Sequence, residues 1–182
     1  MALTYFGACD SSGVASGTSS NSDSGGIVFW RAYTCPGSGP QNVREIASFV
    51  HNVSSTSHVR LAIYDSTFAT LLAESDSIVP SSASTDTWDN AAIAAIALTG
   101  GADYGLAITF GADGAGSAST HVDDTRSNGK FKVADYTAGF PSPLDTEISA
   151  SFMYPIRVGV EPALIVNVQQ PIASLWPMLV AG

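Results

Sequence analysis

His58-Val59-Arg60-Leu61-Ala62-Ile63-Tyr64-Asp65 is the stretch whose reading decides the fold. Val59, Leu61 and Ile63 fall on one side of an extended chain and Arg60, Ala62 and Tyr64 on the other, the period of two that marks a strand with one face in a core. An apolar run over residues 46–53 precedes it. Leu71-Leu72-Ala73, Trp88 and Asp103-Tyr104-Gly105-Leu106-Ala107-Ile108 follow it, and all read as its sheet partners.

Working outward, Ile27-Val28-Phe29-Trp30-Arg31-Ala32-Tyr33 has the β-branched and aromatic content of a first strand, broken by Pro36-Gly37-Ser38-Gly39-Pro40. Residues 43–53 supply a second strand, 54–57 a turn, 58–65 the third, and 71–79 a fourth stopped by Pro80 and the serine-rich residues after it. Residues 89–98 are ambiguous, because Ala91-Ala92-Ile93-Ala94-Ala95-Ile96-Ala97-Leu98 has helical propensity. Their place between closely spaced strands favours a strand following Trp88. Tyr104, Leu106, Ile108 and Phe110 alternate against Gly105, Ala107 and Thr109, a half-buried strand ending in the glycine-rich loop 111–116. Residues 119–122 and 130–134 read as short strands. The loop around Pro141 and Pro143 separates them from a long closing strand over 148–160, in which Phe152, Tyr154, Ile156, Val158 and Val160 share a face and Pro155 imposes an edge or a bulge. Short strands at roughly 8–12-residue spacing predict an all-β fold, an antiparallel, jelly-roll-like β-sandwich spanning residues 27–160.

Extended arms flank it. Residues 10–26 are small and polar and cannot bury enough apolar area to fold alone, so residues 1–26 read as a flexible N-terminal arm, free or laid across a neighbour. After Val160 the chain turns apolar, with Pro162, Pro171 and Pro177 interrupting it. Such a tail, residues 161–182, either returns over its own sandwich or docks on another subunit. In the second case Leu164, Val166, Val168, Ile172, Leu175, Trp176 and Leu179 form the subunit interface.

The bulk composition narrows the partners. The chain of 182 residues is 45% hydrophobic but only 13% charged, against about 25% charged in ordinary soluble proteins. A surface of Ser, Thr, Gly and Ala suits life inside an assembly, or a bland secreted β-domain. A net charge of -9 opposes binding to a phosphate backbone, so nucleic acid is not an expected partner. No run approaches the ~20 apolar residues of a membrane helix, and Met1-Ala2-Leu3-Thr4-Tyr5-Phe6 lacks the pattern of an export signal. Cys9 and Cys35 read as two free thiols, with one disulfide as the other option.

Candidate chemistry is sparse, and an enzyme is not expected. His121-Val122-Asp123-Asp124 lacks a further ligand at a diagnostic spacing, and Asp113 among glycines lacks the alternating acids of a calcium loop. No Gly-x-Ser-x-Gly elbow singles out a nucleophile. Neither a metal nor another cofactor is expected. Arg60 and Tyr64 on one strand face, with Trp88 and Tyr104, are the candidate ligand-binding set for a carbohydrate- or receptor-binding module, unless Trp88 and Tyr104 are core residues.

The order of features, Ser48-Phe49-Val50, then Val59-Arg60-Leu61-Ala62-Ile63-Tyr64, then Leu71-Leu72-Ala73-Glu74-Ser75, then Trp88, then Tyr104-Gly105-Leu106-Ala107, resembles the small jelly-roll modules of bacteriophage structural proteins and some bacterial surface proteins. The resemblance covers roughly residues 27–160. It implies a non-enzymatic virion component, a capsid decoration (cement) subunit or a tail or fibre part, located in the virion. The implied partners are the major capsid protein or copies of the chain itself, in a homo-oligomeric assembly. A Met1 start without an export signal agrees with assembly inside a cell before release. The alternative is a carbohydrate- or receptor-binding module of a tail appendage or cell-surface protein.

Overall fold

The computed structural model describes residues 2–9, 19–24, 27–53, 57–79, 87–112, 117–122, 129–133, 139–144, 148–150 and 155–163. Among these residues there is no helix. The strands are β1 (Thr4–Gly7), β2 (Ser19–Ser24), β3 (Ile27–Thr34), β4 (Gly39–Val53), β5 (Ser57–Tyr64), β6 (Leu71–Glu74), β7 (Thr87–Ala91), β8 (Ala97–Gly100), β9 (Asp103–Ala112), β10 (Ser117–Val122), β11 (Gly129–Val133), β12 (Ile148–Ala150) and β13 (Ile156–Pro162). Every pairing between them is antiparallel. They form two sheets: a seven-stranded one ordered β1-β13-β4-β10-β2 with β7 and β8 also on β4, and a six-stranded one ordered β12-β11-β3-β9-β5-β6. The chain crosses between sheets from β2 to β3, β3 to β4, β4 to β5, β6 to β7, β8 to β9, β9 to β10, β10 to β11 and β12 to β13, so the architecture is the antiparallel, jelly-roll-like sandwich that the alternation predicts.

The alternation on β5 does what the sequence pattern requires. Val59, Leu61 and Ile63 are fully buried between the sheets, against Leu106 and Ile108 of β9, Ile46 of β4 and Ile156, Val158 and Val160 of β13. The opposite face is not left to solvent. Ala62 and Tyr64 join Trp30 and Ala107 in a second apolar cluster, closed by Phe140 and Leu144. The segment 139–144 is fastened there by polar bonds: the Tyr64 hydroxyl donates to the Pro141 carbonyl, Leu144 N–H to Phe68 O at 3.0 Å, and Ser142 Oγ to Ala69 O at 3.2 Å. Gly105 makes this closure possible, since a Cβ there would stand 2.2 Å from the Phe68 ring. At the end of β6, Ser75 Oγ accepts from Leu61 N–H at 2.9 Å and donates to Asp76 O, so a buried side chain completes the ladder where regular pairing stops.

Several expectations are corrected. Residues 1–26 are not simply a flexible arm. β1 pairs with β13 from Thr4↔Val160 to Gly7↔Arg157, Phe6 and Ala8 are buried in the main core, and β2 pairs with β10. A ladder is held by backbone bonds, so a strand as polar as Ser19–Ser24 can still join one. The single closing strand over 148–160 is two strands in different sheets, because β12 pairs with β11 while β13 pairs with β1 and β4. The sandwich also extends past residue 160, as β13 runs to Pro162 and Ala163 N–H donates to Pro40 O at 3.0 Å. Residues 89–98 are not one strand: β7 ends at Ala91, Ile93 makes an isolated bridge to Ser75, and β8 begins at Ala97. The tail residues Leu164, Val166, Val168, Ile172, Leu175, Trp176 and Leu179 lie outside the described residues.

Leu61 is fully buried while Leu72 is 39% exposed. Leu61→Ala is expected to lower unfolding free energy by about 2–5 kcal/mol, and Leu72→Ala by no more than about 0.5 kcal/mol, as read from urea denaturation.

Candidate functional site

The outer face of the seven-stranded sheet carries the most distinctive group of side chains among the described residues. Phe6, Ile46, Ala91, Ile156 and Val158 point into the core, so alternation turns Tyr5, Glu45, Ala47, Phe49, Trp88 and Arg157 outward. Pairing then sets them side by side. Arg157 lies opposite Ala47 across β13 and β4, and Phe49 lies opposite Trp88 across β4 and β7.

The small side chain of Ala47 leaves room for the guanidinium to lie along the sheet. Arg157 is stacked between two rings, 4.6 Å from the Tyr5 centroid and 4.5 Å from that of Trp88. Its Nη2 and Nε both donate to Glu45 Oε1, at 2.7 and 3.1 Å. Phe49 meets Trp88 edge-on at 5.2 Å. Gly159 opens space at the rim, since a Cβ there would lie 3.0 Å from the Tyr5 ring and 3.1 Å from Leu3. The ion pair is largely shielded, with side-chain exposures of 14% for Arg157 and 18% for Glu45. At the rim, Arg44 Nε donates to Glu161 at 2.6 Å in a more open setting.

This group has no nucleophile poised beside a base. It offers a flat surface of half-buried rings around a cancelled charge, suited to stacking and contact.

The predicted ligand-binding set is not one site. Arg60 and Tyr64 are together on the outside of the six-stranded sheet, where Arg60 Nη2 is 3.1 Å from Glu74 Oε1 and Tyr64 is 0% exposed beneath residues 139–144. Tyr104 faces the main core from β9, half-buried, and its hydroxyl accepts from Thr99 N–H at 2.8 Å. Trp88 belongs to the opposite sheet. Two of the four are therefore neighbours, and they are already covered by the chain itself. Tyr5, Glu45, Phe49 and Arg157 were missed by the sequence reading. The signal for Arg157 was present, because a row with Ile156 and Val158 inside puts residue 157 outside.

Among the described residues, no three or more His, Cys, Asp and Glu side chains are grouped to hold a metal ion. Asp123 and Asp124 of the His121 string and residues 113–116 of the glycine loop lie outside them. Cys9 and Cys35 are not joined in a disulfide. No helix among the described residues is long and apolar enough to cross a membrane. No protein-family model matches the chain, and no curated protein matches it.

Two protonation equilibria are displaced upward among the described residues. Burial pushes the Cys35 thiol up to about 11, and burial followed by the neighbouring Glu74 carboxylate raises the Tyr64 phenol. Both groups hold their protons more tightly folded than unfolded, so their contribution is complete below the unfolded pKa and drains as pH rises through the folded one. The urea midpoint is therefore expected to fall as pH increases from about 9 to about 11, and Cys35→Ala should remove the thiol's share of that decline.

Arg157→Lys keeps the charge but loses the planar stack and fork. It is expected to cost about 1–2 kcal/mol, whereas Arg44→Lys at the open rim should stay within about 0.5 kcal/mol. Tryptophan-fluorescence denaturation of the two variants measures the difference.

Proposed function

We propose that this chain is a non-enzymatic structural subunit of a virion, a capsid decoration (cement) protein that stabilises a shell through contacts with the major capsid protein or with copies of itself. The observation that carries the reading is the outer face of the seven-stranded sheet, where Tyr5, Trp88 and Phe49 surround an Arg157–Glu45 pair whose charges cancel. An aromatic face of this kind suits burial against another protein surface, since interface centres are rich in Tyr, Trp, Phe and Arg and poor in unpaired charge. The sparse charge of the whole chain supports the same reading. Stabilising an assembly requires area, about 1,200–2,000 Å² for a specific interface, and no reactive centre. The decoration role in particular rests on the resemblance to phage jelly-roll modules.

A second reading, a carbohydrate- or receptor-binding module, is favoured by the half-buried rings of Tyr5 and Trp88 on that same face. It moves the site away from the Arg60–Tyr64 side.

The assembly reading predicts that the purified chain self-associates, or binds shells of its source particle, in light-scattering and co-sedimentation measurements. Tyr5→Ala and Trp88→Ala should weaken that association while leaving the far-ultraviolet circular dichroism unchanged. Glycan-array binding lost in the same variants, with association intact, would replace it with the second reading.

A further inference from the structure

We propose that Arg31 anchors a binding site for a small oxyanion, a carboxylate or a phosphate group, on the inner side of β3. The inference is independent of the assembly reading above.

Alternation fixes where Arg31 lies. Trp30 belongs to the cluster on the outside of the six-stranded sheet and Tyr33 to the main core, so Arg31, two residues before Tyr33, shares its inward direction. An arginine in an inward row is costly unless acceptors or an anion meet it. Its neighbours in the sheet supply none. Arg31 pairs with Leu106 of β9, and one antiparallel step from the Trp30–Lys130 pair brings Gly129 of β11 to its other side. The inward positions before and after it on β3 are Phe29 and Tyr33. Across the sandwich β3 meets β1, whose buried side chain is Phe6.

The other described arginines make the contrast. Arg44 is paired with Glu161, Arg60 with Glu74 and Arg157 with Glu45. Arg31 has no carboxylate partner among the described residues. Its guanidinium lies over the Tyr33 ring, 5.6 Å from the centroid, and its Nη1 is buried with no hydrogen-bond partner. The ring covers one flat side of the guanidinium and leaves the N–H edge to an acceptor lying in its plane. A planar fork of N–H groups matches two oxygens of a carboxylate or phosphate. Arg31 is half-buried rather than sealed, so a small anion reaches it from solvent. The net charge of -9 repels anions from the molecule as a whole, so an anion that is retained reports a local cation and not a general attraction.

The test uses the full-length chain. Arginine Nε–Hε cross-peaks in ¹H–¹⁵N spectra are followed while sodium phosphate or, separately, sodium acetate replaces chloride at constant ionic strength, and the Arg31 peak is the one missing from Arg31→Lys. That peak is expected to move saturably, with half of its shift reached on the order of 1–10 mM, while the peaks of Arg44, Arg60 and Arg157 stay in place. Saturation by acetate or by phosphate alone assigns the anion to that class. An Arg31 peak unmoved by both, or an equal, unsaturated drift of all the arginines, overturns the proposal. In thermal unfolding, the anion at ten times its half-effect concentration should raise the midpoint by about 3–5 °C, beyond the general salt effect that Arg31→Met retains. A rise as large in Arg31→Met as in the unsubstituted chain would also overturn it. Should the variants fail to fold, saturable movement of a single arginine peak in the unsubstituted chain, or its absence, decides.

Discussion

β4 carries the hydrogen bonds of four other strands, and the seven-stranded sheet depends on that one ladder. Ile46 pairs with Val158 on one side and Ala91 on the other, and Val50 with Thr120 and Thr87, so β13 and β10 share one edge while β7 and β8 share the opposite one. With both edges engaged, neither face of β4 can shift without breaking two registers at once. Its inner row closes the main core against β5 and β9, and its outer row supplies Glu45, Ala47 and Phe49 to the candidate contact face. The two faces are therefore products of the same pairing.

Most of the six-stranded sheet was legible in the sequence, because β5 and β9 alternate cleanly and their buried rows are the ones observed. β4 was less so. Val43 and Ile46 are three residues apart, yet both lie in the main core, and the pairing to β13 shifts register between Gly159 and Val160 to accommodate the odd step. A strict period of two cannot see such a bulge. β1 was hidden by the polar composition of the residues after it, although Tyr5 and Phe6 are suited to a strand. Pro155 was legible as an edge or bulge position within one long strand, but the change of sheet before it is decided by pairing with distant residues.

The candidate site was legible in its chemistry and not in its address. Aromatic rings beside an arginine were the expected feature, and Trp88 belongs to both the expected set and the observed group. Arg60 and Trp88 are on strands of different sheets, however, and nothing local to either residue reports that separation. The arginine that meets Trp88 is brought there by the β13–β4–β7 registers, which join residues far apart in the chain. Tyr64 illustrates the same limit from the other side. Its outward direction on β5 was correct, but the segment 139–144 had to be known to see that outward here means covered.

The remaining question is why a charged pair sits in the middle of a face suited to contact. Replacing Arg157 and Glu45 with apolar residues would create an exposed hydrophobic patch with little orientation of its own, prone to non-specific association. A lone cation would attract the acidic surfaces of other copies from any direction, while a lone carboxylate would add to the repulsion already set by the net charge of -9. The pair avoids both. Its charges cancel, the guanidinium fixes the two flanking rings at 4.5 and 4.6 Å, and the carboxylate holds the guanidinium flat. The result is a neutral platform within an acidic chain, whose rings would need no new ordering if a partner were to settle on them, so that less conformational entropy would oppose binding.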